Sequence, residues 1–368
     1  MADTKRFLTA ADVDTAGLAS FRSHHGDFDA LLGNKPTVTL LVQDGSGAPT
    51  FHEACIYHAA SHSVFVTSNQ ITIPPGEPGH GNEATAGKRV TVSRVYDAAA
   101  DAGQVVRCED ATPADHADGM WNGGVNYGGG GLLYCAQGSR TSAGGLVHVA
   151  DPVPPYRSRT LVSGFHGRPF NSVNDVVVDP RDGAVWFTDP SYGYHQGIRP
   201  APRLPGHVYR FEPEGGHIRA VADGFVRPNG LCFAPDLAVL YVTDTGAVHG
   251  SPSVPVDPAG PSHIYAFDVV VRPPPGPGPF LANRRLFAFA DGGCPDGVKC
   301  DTRGNVYAGC GDGVEVWNPA GTLIGRILVQ GGVANLCFGR NGAIYMCNET
   351  RFWKAQMADH VRGALLGI

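Results

Sequence analysis

At 368 residues the chain can bury a large core as one closed all-β unit or as two domains, so length alone does not divide it. Fifty Gly and 29 Pro without a collagen-like period, set between short stretches rich in Val, Tyr, Phe and Thr, exclude a bundle of long helices and favour strands joined by turns. Lysine plus arginine number 28 against 34 acidic residues, a net charge of -6, and the absence of a basic stripe with interleaved aromatics argues against nucleic acid as a partner.

The chain opens with Met1 to Ala11, which carry Asp3, Lys5 and Arg6 but no apolar h-region. No stretch reaches the roughly 18 apolar residues of a membrane span, so a cytoplasmic protein with no membrane partner is expected. Residues 1–33 read as an N-terminal extension outside the main body, with a helix expected between Asp12 and Leu32. A lone strand, TVTLLVQ, follows at Thr37 to Gln43.

From there one pattern recurs: a polar residue, an apolar strand, a turn with Gly, Asp or Asn, and a second apolar strand ending in small or polar residues. Its copies begin at Glu53 (ACIYHAASHSVFVTS), Asn122 (GGVNYGGGGLLYCA), Asn174 (DVVVDPRDGAVWFTD), Asn229 (GLCFAPDLAVLYVTD), Asp296 (GVKCDTRGNVYAGC) and Asn335 (LCFGRNGAIYMCN). Outer hairpins stand between copies, HVYRFEP with HIRAVAD and IYAFDVV with RRLFAFA. The Pro-rich stretches 252–261 and 273–279 read as exposed loops, because proline cannot donate to a central ladder.

Six starts about 40 to 70 residues apart predict an all-β, six-bladed β-propeller over residues 34–368 as a single domain. Thr37–Gln43 is expected to close the ring by joining the blade that ends near RFWKAQM. Nine cysteines with no CxxC pair read as buried free thiols, with Cys294 and Cys300 the one pair that suggests a disulfide.

In a propeller the inner strands border the central channel, so Glu53, Asn122, Asn174, Asn229, Asp296 and Asn335 form a ring of side-chain oxygens around one mouth. Two carboxylates and four carboxamides suit a hard divalent cation better than zinc. Taken singly, Pro228-Asn229-Gly230 and Pro295-Asp296-Gly297 are ordinary turn sequences, Asn174 with Asp175 is a strand entry, and Asn335 is a channel-lining residue. Their common phase in the repeat is what favours a site.

The segments FHEACIY, FNSVNDVVVDPRDGAVWFTDPSYGY, VADGFVRPNGLCFAPDLAVLYVTDTG, PDGVKCDTRGNVYAGCGDGVEVWNPAGTLIG and the weaker NGGVNY resemble the SMP-30, gluconolactonase and regucalcin family, most closely the fungal lactonohydrolases acting on aldonolactones and pantolactone. That resemblance implies a metal, usually Ca2+, held by Glu53, Asn229 and Asp296, with Asn174 facing both metal and substrate. Animal members carry an arginine two residues before the ND asparagine, where Ser172 stands here.

The implied activity is that of a lactonohydrolase, opening a small lactone such as an aldono-1,4-lactone or pantolactone to its hydroxy acid. Asp296 is the candidate base, while Asn122 and Asn174 are the candidate substrate contacts. No GxSxG elbow supports a serine mechanism. His52, beside Glu53, is a further catalytic candidate, although strand alternation would point it to the other face.

His166 and His195 read as loop residues at blade edges, Tyr192 and Tyr194 as packing, and the sequon at Asn348 as silent. The alternatives are a non-catalytic metal-binding or interaction propeller and an aryl-ester or phosphotriester hydrolase on the same fold. The oligomeric state is not readable.

Overall fold

Stretches of five to eight residues dense in Val, Ile, Tyr and Phe and bounded by Gly, Asn and Asp form antiparallel strands. The computed structural model describes residues 6–96, 106–116, 118–251, 253–272 and 278–366. Most of the expected loop 273–279, residues 273–277, lies outside the described residues.

The strands assemble into six main sheets, numbered here as blades from the inside outward. Blade 1 holds Glu53–His58, Ser63–Thr67, Val92–Tyr96 and Arg107–Asp110. Blade 2 holds Trp121–Tyr127, Gly131–Gly138, Ala143–Val149 and Ser158–Val162. Blade 3 holds Val176–Val178, Val185–Asp189, His207–Glu212 and His217–Ala222.

Blade 4 consists of Pro228–Phe233, Val239–Asp244, His263–Val270 and Phe280–Phe289. Blade 5 consists of Val298–Cys300, Val306–Cys310, Gly313–Trp317 and Leu323–Val329. Blade 6 consists of Leu336–Phe338, Ala343–Asn348, Arg351–Gln356 and Thr37–Asp44. Each inner strand touches the next, and that of blade 6 meets that of blade 1, so the ring is a closed six-bladed propeller.

Closure uses the first long strand of the chain. Thr37–Asp44 pairs antiparallel with Arg351–Gln356, with Leu40 opposite Trp353. The described elements before it line the outside of the ring. Ala19–Ser23 becomes a fifth strand on blade 5, Phe7–Leu8 a fifth on blade 6, and the helix Gly26–Leu32 buries Phe28 and Leu31.

The core lies between neighbouring blades. Trp121, Trp186, Trp317 and Trp353 are all buried there, together with the apolar faces of the second and third strands. All nine cysteines are free thiols, seven of them buried. The Cys294–Cys300 pairing is therefore not made: the Cys300 sulfur lies 3.5 Å from that of Cys232 on blade 4 instead, because neighbouring inner strands put their side chains closer than a loop and a strand of one blade do.

Among the described residues, no helix is long and apolar enough to cross a membrane.

Candidate functional site

Three local devices position the repeat-start residues at one mouth of the channel. The first is a bulge. Register breaks between Glu53 and Ile56, between Trp121 and Gly124, and between Pro228 and Leu231 interrupt the inner strands of blades 1, 2 and 4 where Glu53, Asn122 and Asn229 sit. A bulge turns side chains out of strict alternation, here toward the axis.

The second device is glycine used for close approach. A Cβ on Gly123 would lie 2.6 Å from the Asn174 carbonyl oxygen, one on Gly230 2.3 Å from that of Asp296, and one on Gly297 2.3 Å from Asn335 Oδ1. The Asn-Gly and Asp-Gly pairs are thus not turns. Asn229 and Gly230 lie within the strand Pro228–Phe233, and the glycines let adjacent inner strands meet backbone to backbone.

The third device joins each of three blades to the next. Thr67 Oγ1 donates to the Asn122 carbonyl (3.0 Å), Thr188 Oγ1 to that of Asn229 (2.7 Å), and Thr243 Oγ1 to that of Asp296 (2.9 Å). The aspartates that follow two of these threonines hold the entry loops. Asp189 accepts from the N–H groups of Asn171 and Ser172, and Asp244 from those of Val226 and Arg227, just before Asn174 and Asn229. The small or polar ending of the second strand was part of the repeat read from the sequence, but the role of its threonines across the blade boundary was not.

Five of the six residues line one open cavity of about 740 Å³: Glu53, Asn122, Asn174, Asn229 and Asp296. Asn335 does not. It is fully buried, its Nδ2 donates to Glu53 Oε2 at 2.7 Å, and its Oδ1 accepts from the Leu336 N–H, so it holds Glu53 rather than facing the cavity.

Three oxygens of these cavity-lining residues are buried without a hydrogen-bond partner, namely Asn174 Oδ1, Asn229 Oδ1 and Asp296 Oδ1. Such orphans cost about 1–3 kcal/mol each. Among the described residues no three His, Cys, Asp or Glu side chains group as a metal site, and the donors here are instead two carboxylates completed by carboxamides. A cation bound by oxygen alone would satisfy all three orphans, so the residues present fit a hard divalent ion.

Electrostatics agree with that fit. Burial pushes the Glu53 carboxyl well above its usual range, and the charge of Asp296 adds to the shift. Burial likewise raises Asp296 to about 6; His52 opposes this, and Asp175 and Glu349 reinforce it. Two carboxylates that resist joint ionisation are relieved by positive charge.

His52 faces the same cavity as Glu53, so strand alternation fails there. It precedes the strand that begins at Glu53, and its N–H bonds the Thr67 carbonyl. Its Nδ1 lies 2.6 Å from Glu349 Oε1. Burial works against its protonation, but the Glu349 carboxylate, joined by Glu53 and Asp296, outweighs burial and lifts the imidazole to about 10. Glu349 is the residue that reading the sequence missed, because it belongs to the loop after the sixth copy and meets His52 only when the ring closes.

Beneath the floor, the Asp175 carboxylate turns away from the cavity to Lys299, whose Nζ is 3.8 Å distant. Tyr192 is buried and walls the cavity, with Oη 2.5 Å from Thr245 Oγ1, whereas Tyr194 is exposed rather than packed. His166 is exposed on a small hairpin, and the ring of His195 stands 4.1 Å from that of His249, which lines the cavity. Ser172 is buried and accepts from the Gly193 N–H.

Fold and site together define a closed six-bladed propeller with an oxygen-lined axial site on one face. Residues 124–347 match the family model described as the SMP-30/Gluconolactonase/LRE-like region. That match takes in well over half of the chain, and the chain belongs to this family.

It is 31% identical over 224 residues to lactonohydrolase oryL of Aspergillus oryzae, covering 56% of this chain and 50% of that protein. It is 33% identical over 198 residues to a gluconolactonase of Zymomonas mobilis, covering 52% and 51% respectively. The chain thus spans about half the length of these relatives. In three dimensions it resembles a gluconolactonase of Xanthomonas campestris, at a TM-score of 0.68 and 25% identity, covering 94% of this chain and 99% of that one.

Proposed function

We propose that this protein is a metal-dependent lactonase that hydrolyses the ester of a small lactone, such as an aldono-1,4-lactone or pantolactone, to the hydroxy acid. The observation that carries the reading is the set of three buried, unpartnered oxygens, Asn174 Oδ1, Asn229 Oδ1 and Asp296 Oδ1, gathered with Glu53 in one open cavity. The relatives named lactonohydrolase and gluconolactonase support it.

Glu53, Asn174, Asn229 and Asp296 would hold the ion, and calcium is the cation that an all-oxygen set with carboxamides suits best. When bound, it supplies positive charge that polarises the lactone carbonyl. Asn122 and Asn174, with carboxamides at the cavity surface, orient the lactone by hydrogen bonds. Asp296, at the cavity floor beside the ester, is the group that takes the proton of the attacking water. Water adds to the acyl carbon, the ring C–O bond breaks, and the ring oxygen leaves with a proton as the hydroxyl of the product. His52, whose Nδ1 is paired with Glu349, is placed to donate a hydrogen bond or proton in this step.

The test is a panel of aldonolactones, pantolactone, phenyl acetate and a phosphotriester, assayed with calcium, after chelation, and after calcium is restored. Turnover of a lactone that disappears on chelation and returns with calcium is expected. Asp296→Asn and Glu53→Gln should each lower kcat/KM by at least about 100-fold, as loss of a group acting on transition-state charge does. Wild-type rates in either variant, or preference for the phosphotriester, would overturn the assignment.

A further inference from the structure

The cavity is larger and less uniform than a small lactone ring requires. Its volume of about 740 Å³ lies in the upper part of the range for small-molecule sites, roughly 300–1,000 Å³. Its rim is also uneven. On this face blades 1, 3 and 4 carry long connections between second and third strands, while Gly138 to Ala143, Cys310 to Gly313 and Asn348 to Arg351 join the same strands of blades 2, 5 and 6 by short turns.

One of these walls rises from blade 4, between Asp244 and His263. Its base is tied down: the Ala247 N–H donates to the Pro261 carbonyl at 2.8 Å, the Asp257 N–H to the Ala247 carbonyl at 2.8 Å, and the Val254 N–H to the Ser251 carbonyl at 3.1 Å. Tyr192 of blade 3 braces it through Thr245.

On this tethered segment Val248, Val254 and Val256 line the cavity, yet Val254 is 43% and Val256 62% exposed to solvent. Single exposed valines are ordinary on protein surfaces. Three on one hydrogen-bonded wall, continuous with a floor of carboxylate and carboxamide oxygens, make a cavity with a polar bottom and an apolar side.

We infer that the substrate carries an apolar substituent, an alkyl chain or branched alkyl group attached to the lactone ring, which lies against Val248, Val254 and Val256 while the ester group sits on the polar floor. The inference rests on the lactonase reading and deepens it by naming the substrate class. An unsubstituted or fully hydroxylated ring would leave this wall in water. An alkyl group removes it from water, which for full burial is worth about a three- to fourfold gain in affinity per methylene. A wall that is half exposed supports about a twofold gain.

The probe is a series of γ-butyrolactones bearing no substituent or an alkyl chain of one to six carbons, with gluconolactone beside them, assayed with the full chain in calcium. For the wild type, kcat/KM should rise about twofold or more per methylene over the first few carbons. In a Val254→Ser/Val256→Ser variant the ratio of long-chain to unsubstituted kcat/KM should fall at least about fivefold, and Val254→Leu should restore or steepen the trend.

A wild-type series that is flat or falls with chain length while lactones are still turned over would overturn this inference alone. So would an unchanged ratio in the serine variant. No turnover of any lactone in the panel would overturn the lactonase reading and this inference with it.

Discussion

Asn335 and Asp44 show how a residue's partners, rather than its type, decide what it does. Asn335 shares its repeat position with the cavity-lining asparagines, yet both ends of its amide are committed, one of them to Glu53. Asn335→Leu is therefore expected to leave the propeller folded and weaken calcium binding about 10- to 100-fold, as loss of a group that orients a metal ligand does. Calorimetric titration with calcium measures this directly, and unchanged affinity would argue against the orienting role.

Asp44, at the end of the closing strand, is a buried carboxylate that accepts from the Ser46 N–H and hydroxyl, from the Thr50 hydroxyl and from Arg6. Burial opposes ionisation, but these donors outweigh it and hold the carboxyl below its usual range. A depressed folded-state pKa stabilises above the unfolded value of about 3.9, and that contribution is lost as pH falls through the folded one. Asp44→Asn should cost about 1–3 kcal/mol at neutral pH, and the gap from wild type should close below about pH 4 in denaturant titrations. A gap that is constant with pH would rule out the ionised state as its source.

Among elements, the inner strands carry the most demanding packing. Three bulges, three close-approach glycines and three threonine hydroxyls help to bring side chains from five of the six blades, Glu53, Asn122, Asn174, Asn229 and Asp296, to one cavity. Gly230 is the severest test, since any Cβ there meets the Asp296 carbonyl. Gly230→Val should force the inner strands of blades 4 and 5 apart, cost at least about 1–3 kcal/mol and weaken calcium binding at the same time. Thermal unfolding with and without calcium reads both effects, and a wild-type Tm in both conditions would show that the strands are not in contact there.

The molecule as a whole depends on a strand from residues 37–44 completing the sheet that the chain's last long strands begin. Residues 7–32 only add to the outside of blades 5 and 6, although Phe28 is buried so closely that a Cβ on Gly325 would lie 2.2 Å from its ring. Removal of residues 1–33 should lower stability by about 1.5–3 kcal/mol for each large side chain unburied and leave lactone turnover measurable. Removal through Asp44 opens the ring and should abolish the cooperative unfolding transition. Two transitions of equal cooperativity in calorimetry would contradict that division of labour.

The six-fold pattern of short two-sided strands, the closure by Thr37–Gln43 and the oxygen-bearing repeat starts were legible in the sequence, because strand alternation and turn chemistry are local and a repeated unit reports its own phase. The free state of Cys294 and Cys300, the pairing of His52 with Glu349, the withdrawal of Asn335 from the cavity and the valine wall of blade 4 were decided only by tertiary structure. Each depends on contacts between blades or across the closed ring, where residues nearly 300 apart in the chain meet. The local pattern that makes one strand carries no information about which side chain of the neighbouring blade will face it.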